Sequence, residues 1–166
     1  MTERDFDDRL LPSGRLREPL SSLRRADAIV LPAGLAAEHP ALRQKPIWRM
    51  DRQLILPNLP SAPVVFCGIA RPEQFFAQVR AAGVTPAAEI IFRDHHAYDL
   101  DDIKAVMRRD LEAGGFLTTE KDAVNLGPLQ AELKPLAVAV LSVTIDDPNN
   151  IMDAILARIA ERKPRS

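Results

Sequence analysis

A single cysteine, Cys67, is all that this chain of 166 residues contains. One thiol excludes an intrachain disulfide and any cysteine-rich zinc site, and it suits a reducing compartment. No apolar run approaches the roughly 20 residues that cross a bilayer, and the opening MTERDFDDRL is too acidic for a secretory signal. A soluble chain is therefore expected, with surface contact to a membrane left open. An excess of charge is missing too, because 22 basic side chains stand against 23 acidic ones for a net charge of -1. The whole molecule thus offers no strong field to DNA, RNA or anionic lipid, and nucleic acid is not an expected partner.

Several catalytic signatures are also missing. There is no G-x-x-x-x-G-K-[ST] cradle for nucleotide phosphates and no G-x-G-x-x-G fingerprint. The G-x-S-x-G elbow and the H-E-x-x-H helix are absent as well. If the chain takes part in phosphate chemistry, the nucleotide-binding half lies elsewhere.

What is present reads as a single α/β domain over 1–166, with a connecting segment and first strands in 1–60 and the main strand-helix repeats in 61–166. A short helix is expected at Leu20 to Arg24, and ADAIVLP reads as a buried strand ending at Pro32. Two extended pieces follow, Ile47 to Met50 and Gln53 to Leu56, as a short antiparallel addition. Prolines 57, 60 and 63 stiffen the connection and suggest a minor boundary.

Beyond residue 63 strand and helix alternate. PVVFCG is a continuous apolar strand, and Pro72 then sits in a first helical turn, where its missing N–H costs nothing. Phe75, Phe76, Val79 and Ala82 share one face, and Gly83 is placed to stop that helix in a left-handed conformation. AEIIF is the next strand. Asp99 with Asp102 has the spacing of a capping box, ahead of a stripe of Leu100, Ile103, Val106, Met107 and Leu111. Phe116 to Thr118 is a strand, Thr119 with Asp122 repeats the cap, and the short helix ends near Gly127. LAVAVLSVTI is a long strand, and the final helix turns Ile151, Ile155 and Ile159 inward and carries a basic last turn. Four strand-helix units predict a mostly parallel sheet with helices on both faces and right-handed crossovers.

In such a sheet ligands gather beyond the carboxyl ends of the strands. Gly68 to Arg71, Arg93 to His96, Thr118 to Lys121, and Asp146 with Asp147 all fall there. Within Asp94-His95-His96, an aspartate can hold an imidazole in one tautomer while its other nitrogen takes or gives a proton near neutral pH. The simpler account has one histidine capping the next helix and the other exposed. Shared metal binding is disfavoured, because consecutive side chains in extended backbone point opposite ways. His39 reads as surface. Arg71 suits a phosphate or carboxylate, although packing or capping is the simpler account. Capping accounts for Thr119 and Asp122 but leaves Lys121 without a role. Arg15, Arg17 and Glu18 suit a phosphate or a magnesium ion, or form a solvated pair.

The stretches RLLPSGRLREPL, VVFCGIARPEQFF, FRDHHAYDLDDI and GFLTTEKDAVNL together resemble the C-terminal half of the tetraacyldisaccharide 4'-kinase family, the lipid A 4'-kinases of Gram-negative bacteria. These four ordered motifs span nearly the whole chain. The resemblance implies an enzyme that moves the γ-phosphoryl group of ATP, with Mg2+, to the 4'-hydroxyl of an acylated glucosamine disaccharide 1-phosphate. It implies work at the cytoplasmic side of the inner membrane, with peripheral membrane contact in the full enzyme. It also implies a P-loop N-terminal domain that closes on this half as its partner. By motif match His95 carries the family's functional histidine, with Asp94 beside it, as partner to an aspartate of the P-loop domain. Arg17 and Glu18 match an element on the nucleotide-magnesium side, and Arg71 one near the hinge. Thr118, Thr119 and Lys121 form a substrate or structural loop, and no metal ligand is assigned within this chain. Asn125 stands where many members have lysine. Since Walker A and the magnesium acids have no counterpart here, the chain alone is expected to be inactive and to bind neither ATP nor Mg2+ tightly. The alternative is a stand-alone, non-catalytic module for a nucleotide, a phosphosugar or a partner protein.

Overall fold

Proline, glycine and capping side chains break the chain into elements at the places their chemistry demands. The computed structural model describes residues 6–36, 38–109 and 114–162. Its strands are β1 (Ile29–Pro32), β2 (Ile47–Ile55), β3 (Val64–Cys67), β4 (Ala88–Ile91), β5 (Phe116–Thr119) and β6 (Leu136–Ile145). Its α-helices are α1 (Pro72–Ala81), α2 (Leu100–Met107), α3 (Glu120–Leu126) and α4 (Pro148–Arg162). The strand order is β1-β2-β6-β5-β3-β4. β1–β2, β3–β4, β3–β5 and β5–β6 are parallel, and β2 with β6 is the one antiparallel pair. The fold is thus the expected mostly parallel α/β sheet with helices on both faces. The chain forms two compact units, a central one of Gln53–Ser142 and a flanking one of Met1–Arg52 with Val143–Ser166.

In the central unit β3 is buried along its whole length, as a strand covered on both faces must be. Successive side chains alternate between two cores. Val65 and Cys67 pack with Phe75, Phe76 and Val79 of α1, while Val64 and Phe66 pack with Ile103 and Val106 of α2 and Leu126 of α3. The chain leaves β3 for β4 on one side and returns to β5 on the other. With crossovers of one hand, that reversal sends α1 to one face and α2 and α3 to the opposite face. Truncating a fully buried ring such as Phe76 to alanine costs about 3–5 kcal/mol.

The local signals are realised. Pro72 begins α1, and Gly83 follows that helix at φ +84°. Asp99 and Asp102 form a complete capping box at α2, and Thr119 caps α3 by accepting from the Asp122 N–H. The burial stripes are narrower than expected. Leu100 and Met107 are exposed because they open and close a helix of only eight residues, so Ile103 and Val106 alone face the sheet; Leu111 lies outside the described residues. Ala82 is exposed after α1, and Val84, beyond the glycine, returns to the core.

The flanking unit has a smaller core of Ile29, Leu31, Leu35 and Leu42. β2 is one continuous strand rather than two pieces, with Asp51 and Arg52 exposed within it. In α4 Ile151 is buried, but Ile155 and Ile159 are exposed and border a cavity of about 620 Å³ beside Trp48. Arg158 and Arg162 both grip Asp27, at 3.0 and 2.8 Å. Lys163, part of the expected basic turn, is outside the described residues.

Candidate active site at the carboxyl edge of the central sheet

The reversal of strand order falls between β3 and β5, the position beyond whose carboxyl ends ligands gather in open α/β sheets. The β3–β5 pairing covers Val64 with Phe116 and Val65 with Leu117. At the next position the fully buried Thr118 hydroxyl donates to the Phe66 carbonyl at 2.9 Å, so a side chain satisfies the backbone there. Thr118 is therefore committed to the sheet.

In the first turn of α3, the carboxylate of Asp122 is completely buried. Its Oδ1 accepts from the Gly68 N–H at 3.0 Å and from the Tyr98 hydroxyl at 2.9 Å. Its Oδ2 accepts from the Thr119 hydroxyl at 2.6 Å. One acid thus joins the ends of β3 and β5 to the loop after β4. Burial, followed by the hydrogen bond to Asp122, raises the Tyr98 hydroxyl well above its ordinary pKa. Burial and then the Asp122 charge push the Cys67 thiol up to about 12.

The two histidines have different environments. His95 is exposed over 80% of its side chain and has φ +57°, a left-handed conformation uncommon for residues other than glycine. The Asp94 carboxylate supports that turn by accepting from the His95 backbone N–H at 3.0 Å. It lies 3.8 Å from the His95 Nε2, too far for a hydrogen bond, so Asp94 orders the backbone of His95 rather than its ring. His96 is turned inward. It stacks on Phe92, meets Tyr98 edge-on, and its Nε2 lies 2.7 Å from Asp102 Oδ2, which also accepts the Asp99 N–H of the capping box. With Nε2 donating, the buried Nδ1 has no partner among the described residues.

Lys121, which capping left without a role, donates to Asp94 Oδ1 at 2.6 Å. The lysine holds the Asp94 carboxyl below the usual range. The structure therefore brings Asp94, His95, Thr119 and Lys121 to one edge of the central unit. Arg71, also in this unit, is exposed at the start of α1 and has no bonded side-chain partner among the described residues. Asn125 is exposed one turn beyond Lys121 on α3. Arg17 and Glu18 belong to the flanking unit, where Glu18 pairs with Arg25. Asp146 and Asp147 belong there too, with the Asp146 N–H bonded to the Arg49 carbonyl. His39 is half-buried, capping a short turn through its Nδ1 and stacking on Phe6.

Sequence reasoning missed the wider reach of Asp122 and the part played by Tyr98. Capping-box spacing explained the acid locally, so its bond across 54 positions to Gly68 left no further trace. The one available signal was a glycine directly after a buried strand. A Cβ on Gly68 would lie 3.0 Å from the Arg93 carbonyl, 3.2 Å from Asp122 Oδ1 and 3.3 Å from the His96 Cβ.

Fold and site together define an open-sheet α/β module that presents a histidine, a lysine and an acid at its switch point. Residues 2–160 match the family described as Tetraacyldisaccharide-1-P 4'-kinase, and the chain belongs to that family. It is 40% identical to the tetraacyldisaccharide 4'-kinase of Koribacter versatilis over 96% of this chain and 51% of that protein. With the corresponding protein of Geobacter metallireducens it shares 38% identity, over 88% of this chain and 48% of that one. The fold is similar to that of LpxK from Aquifex aeolicus, crystallised with ATP, at a TM-score of 0.65 and 26% identity, covering 95% of this chain and 50% of the other. The chain spans about half the length of the relatives it matches.

Among the described residues, no three His, Cys, Asp or Glu side chains converge as metal ligands. With no glycine-rich phosphate loop in the sequence either, the residues present do not make a complete magnesium-nucleotide site.

Proposed function

We propose that the chain is the C-terminal part of a tetraacyldisaccharide 4'-kinase, which transfers the γ-phosphoryl group of ATP to the 4'-hydroxyl of tetraacyldisaccharide 1-phosphate in lipid A biosynthesis. The observation that carries this reading is the family match over residues 2–160, in a chain with an exposed, backbone-ordered histidine beyond β4. His95 acts on the acceptor hydroxyl together with an aspartate of the P-loop half, taking its proton or orienting the group that does. The sugar oxygen then bonds to the γ-phosphorus as ADP leaves. Asp94 and Lys121 hold the loop that presents His95. Arg17 and Glu18 of the flanking unit serve the nucleotide side, and Arg71 of the central unit is assigned separately to that role by its own motif; the P-loop half contributes the phosphate loop, and Mg2+ and ATP bind there rather than to this chain alone. No described helix is long and apolar enough to cross a membrane. The complete enzyme meets its lipid substrate at the cytoplasmic side of the inner membrane by peripheral contact.

The test joins this chain to the P-loop half of a family member, by fusion or co-expression, and measures phosphate transfer from labelled ATP to the lipid disaccharide. Transfer by the pair and none by the chain alone is the expected result. Transfer by the chain alone would overturn it. Titration calorimetry of the isolated chain with Mg-ATP and an acylated disaccharide phosphate separates the other reading, since tight binding identifies a self-sufficient binding module.

A further inference from the structure

The Asp122 carboxylate is the only fully buried acid among the described residues, and no lysine or arginine pairs with it. A buried anion without a cation is held by hydrogen bonds alone, and removing one leaves a costly vacancy. Far cheaper ways exist to cap a helix of seven residues, and Thr119 already does so. What the arrangement achieves is geometric. Asp122 fixes the loop after β3 through Gly68, the loop after β4 through Tyr98, and the end of β5 through Thr119. Tyr98 in turn meets the rings of Phe92, His96 and Phe66, so it seats the return of the β4 loop against the core. A Cβ at Gly68 would lie 3.0 Å from the Arg93 carbonyl and 3.3 Å from the His96 Cβ, so the absence of a side chain there lets the β4 loop pack close to the end of β3. On the outer side of the loop, the neighbour of Asp122 in sequence, Lys121, holds Asp94, and Asp94 holds the left-handed backbone of His95.

We infer that Asp122 is a positioning residue: it sets the distance between the β4 loop and the start of α3 so that Lys121 meets Asp94 and His95 is presented at the carboxyl edge of the sheet. It touches no substrate and acts through Lys121, Asp94 and Tyr98. The inference deepens the kinase reading given above, but its first test does not depend on it.

That test uses NMR titration of the Asp94 carboxyl in the 166-residue chain, comparing wild type with Asp122→Asn and with Val79→Ala, a core truncation that removes none of these hydrogen bonds. A positioning role predicts that Asp122→Asn lets the Asp94 pKa rise toward the ordinary carboxylate value as the lysine moves away. Val79→Ala lowers the melting temperature and leaves Asp94 depressed. An unchanged Asp94 in folded Asp122→Asn overturns the inference, as does an equal rise in Val79→Ala. If Asp122→Asn does not fold, Tyr98→Phe removes a single donor and decides by the same pair of outcomes. The second test uses the enzyme completed with the P-loop half. There Asp122→Asn lowers kcat by roughly a hundredfold, the scale of an ångström's misplacement, with KM for ATP unchanged; a fall in melting temperature with kcat intact overturns the inference. Should the wild-type pair itself prove inactive, the kinase reading fails while the titration still decides the role of Asp122.

Discussion

Lys121 Nζ stands 2.6 Å from Asp94 Oδ1, an ion pair between residues 27 positions apart that joins the first turn of α3 to the loop after β4. Both groups are more than a third exposed, so the pair matters less as a source of stability than as a ruler between helix and loop. Because the same oxygen accepts the His95 backbone N–H, the ruler ends at the residue proposed to meet the acceptor hydroxyl.

The two histidines are expected to fail in different ways when replaced. In the completed enzyme, His95→Ala lowers kcat by about 10²–10⁴-fold, the range of a lost acid-base group, without a change in melting temperature. His96→Ala removes the bond to Asp102 and the contacts with Phe92 and Tyr98, and costs about 1–3 kcal/mol of stability. Paired kinetics and thermal melts of the two variants check this, and full activity in His95→Ala would contradict it.

Replacing Lys121 by methionine should release the Asp94 carboxyl toward its ordinary pKa, since the lysine is the largest cause of its depression. A carboxyl whose folded pKa is depressed stabilises the fold above its unfolded pKa, and that contribution disappears as pH falls through the folded value. Wild type should therefore lose more stability than Lys121→Met on acidification across that window. Denaturant melts of both proteins at a series of acid pH values measure the difference.

Gly68→Ala brings a Cβ to 3.0 Å from the Arg93 carbonyl and 3.2 Å from Asp122 Oδ1. Both neighbours are held, one by backbone and the other by three hydrogen bonds, so the new methyl group must displace a loop. The expected cost is about 1–3 kcal/mol, as for other overpacked sites. Chemical denaturation reads it directly, and a neutral result would mean that the β4 loop yields easily.

Cys67 is buried, with its thiol pushed up to about 12, first by burial and then by the Asp122 charge. Too little thiolate exists at pH 8 for attack, so a disulfide reagent should leave the native chain unlabelled. Labelling should become rapid in denaturant. Fast native labelling would show that the β3 end opens.

Punctuation made much of the central unit legible in one dimension. Pro72, Gly83, the Asp99–Asp102 box and Thr119 each act within a few residues of themselves, so their effects can be read where they stand. The apolar stretch that became β3 was equally plain, because a strand buried on both faces needs a continuous apolar run, and the stretch that became β6 stood out by its length although only Ala137 and Ala139 of it are buried. Helical periodicity overstated burial at Leu100, Met107, Ile155 and Ile159, since period names a face but not how much surface lies opposite it. The candidate site was visible as a cluster of residue types beyond strand ends, and Lys121 was visible there without a reason.

By itself, then, the sequence determined the order of strands and helices, the absence of a phosphate loop, and which segments end where ligands gather. Those are consequences of short-range sterics, capping and apolar periodicity, all written locally. Only the tertiary structure decided that His95 faces outward while His96 turns in to Asp102, that Lys121 reaches Asp94, and that Asp122 ties the ends of β3 and β5 to the loop after β4. Such choices depend on which loops the strand order β6-β5-β3-β4 brings side by side, and a hydrogen bond between distant loops leaves no period in the chain that makes it.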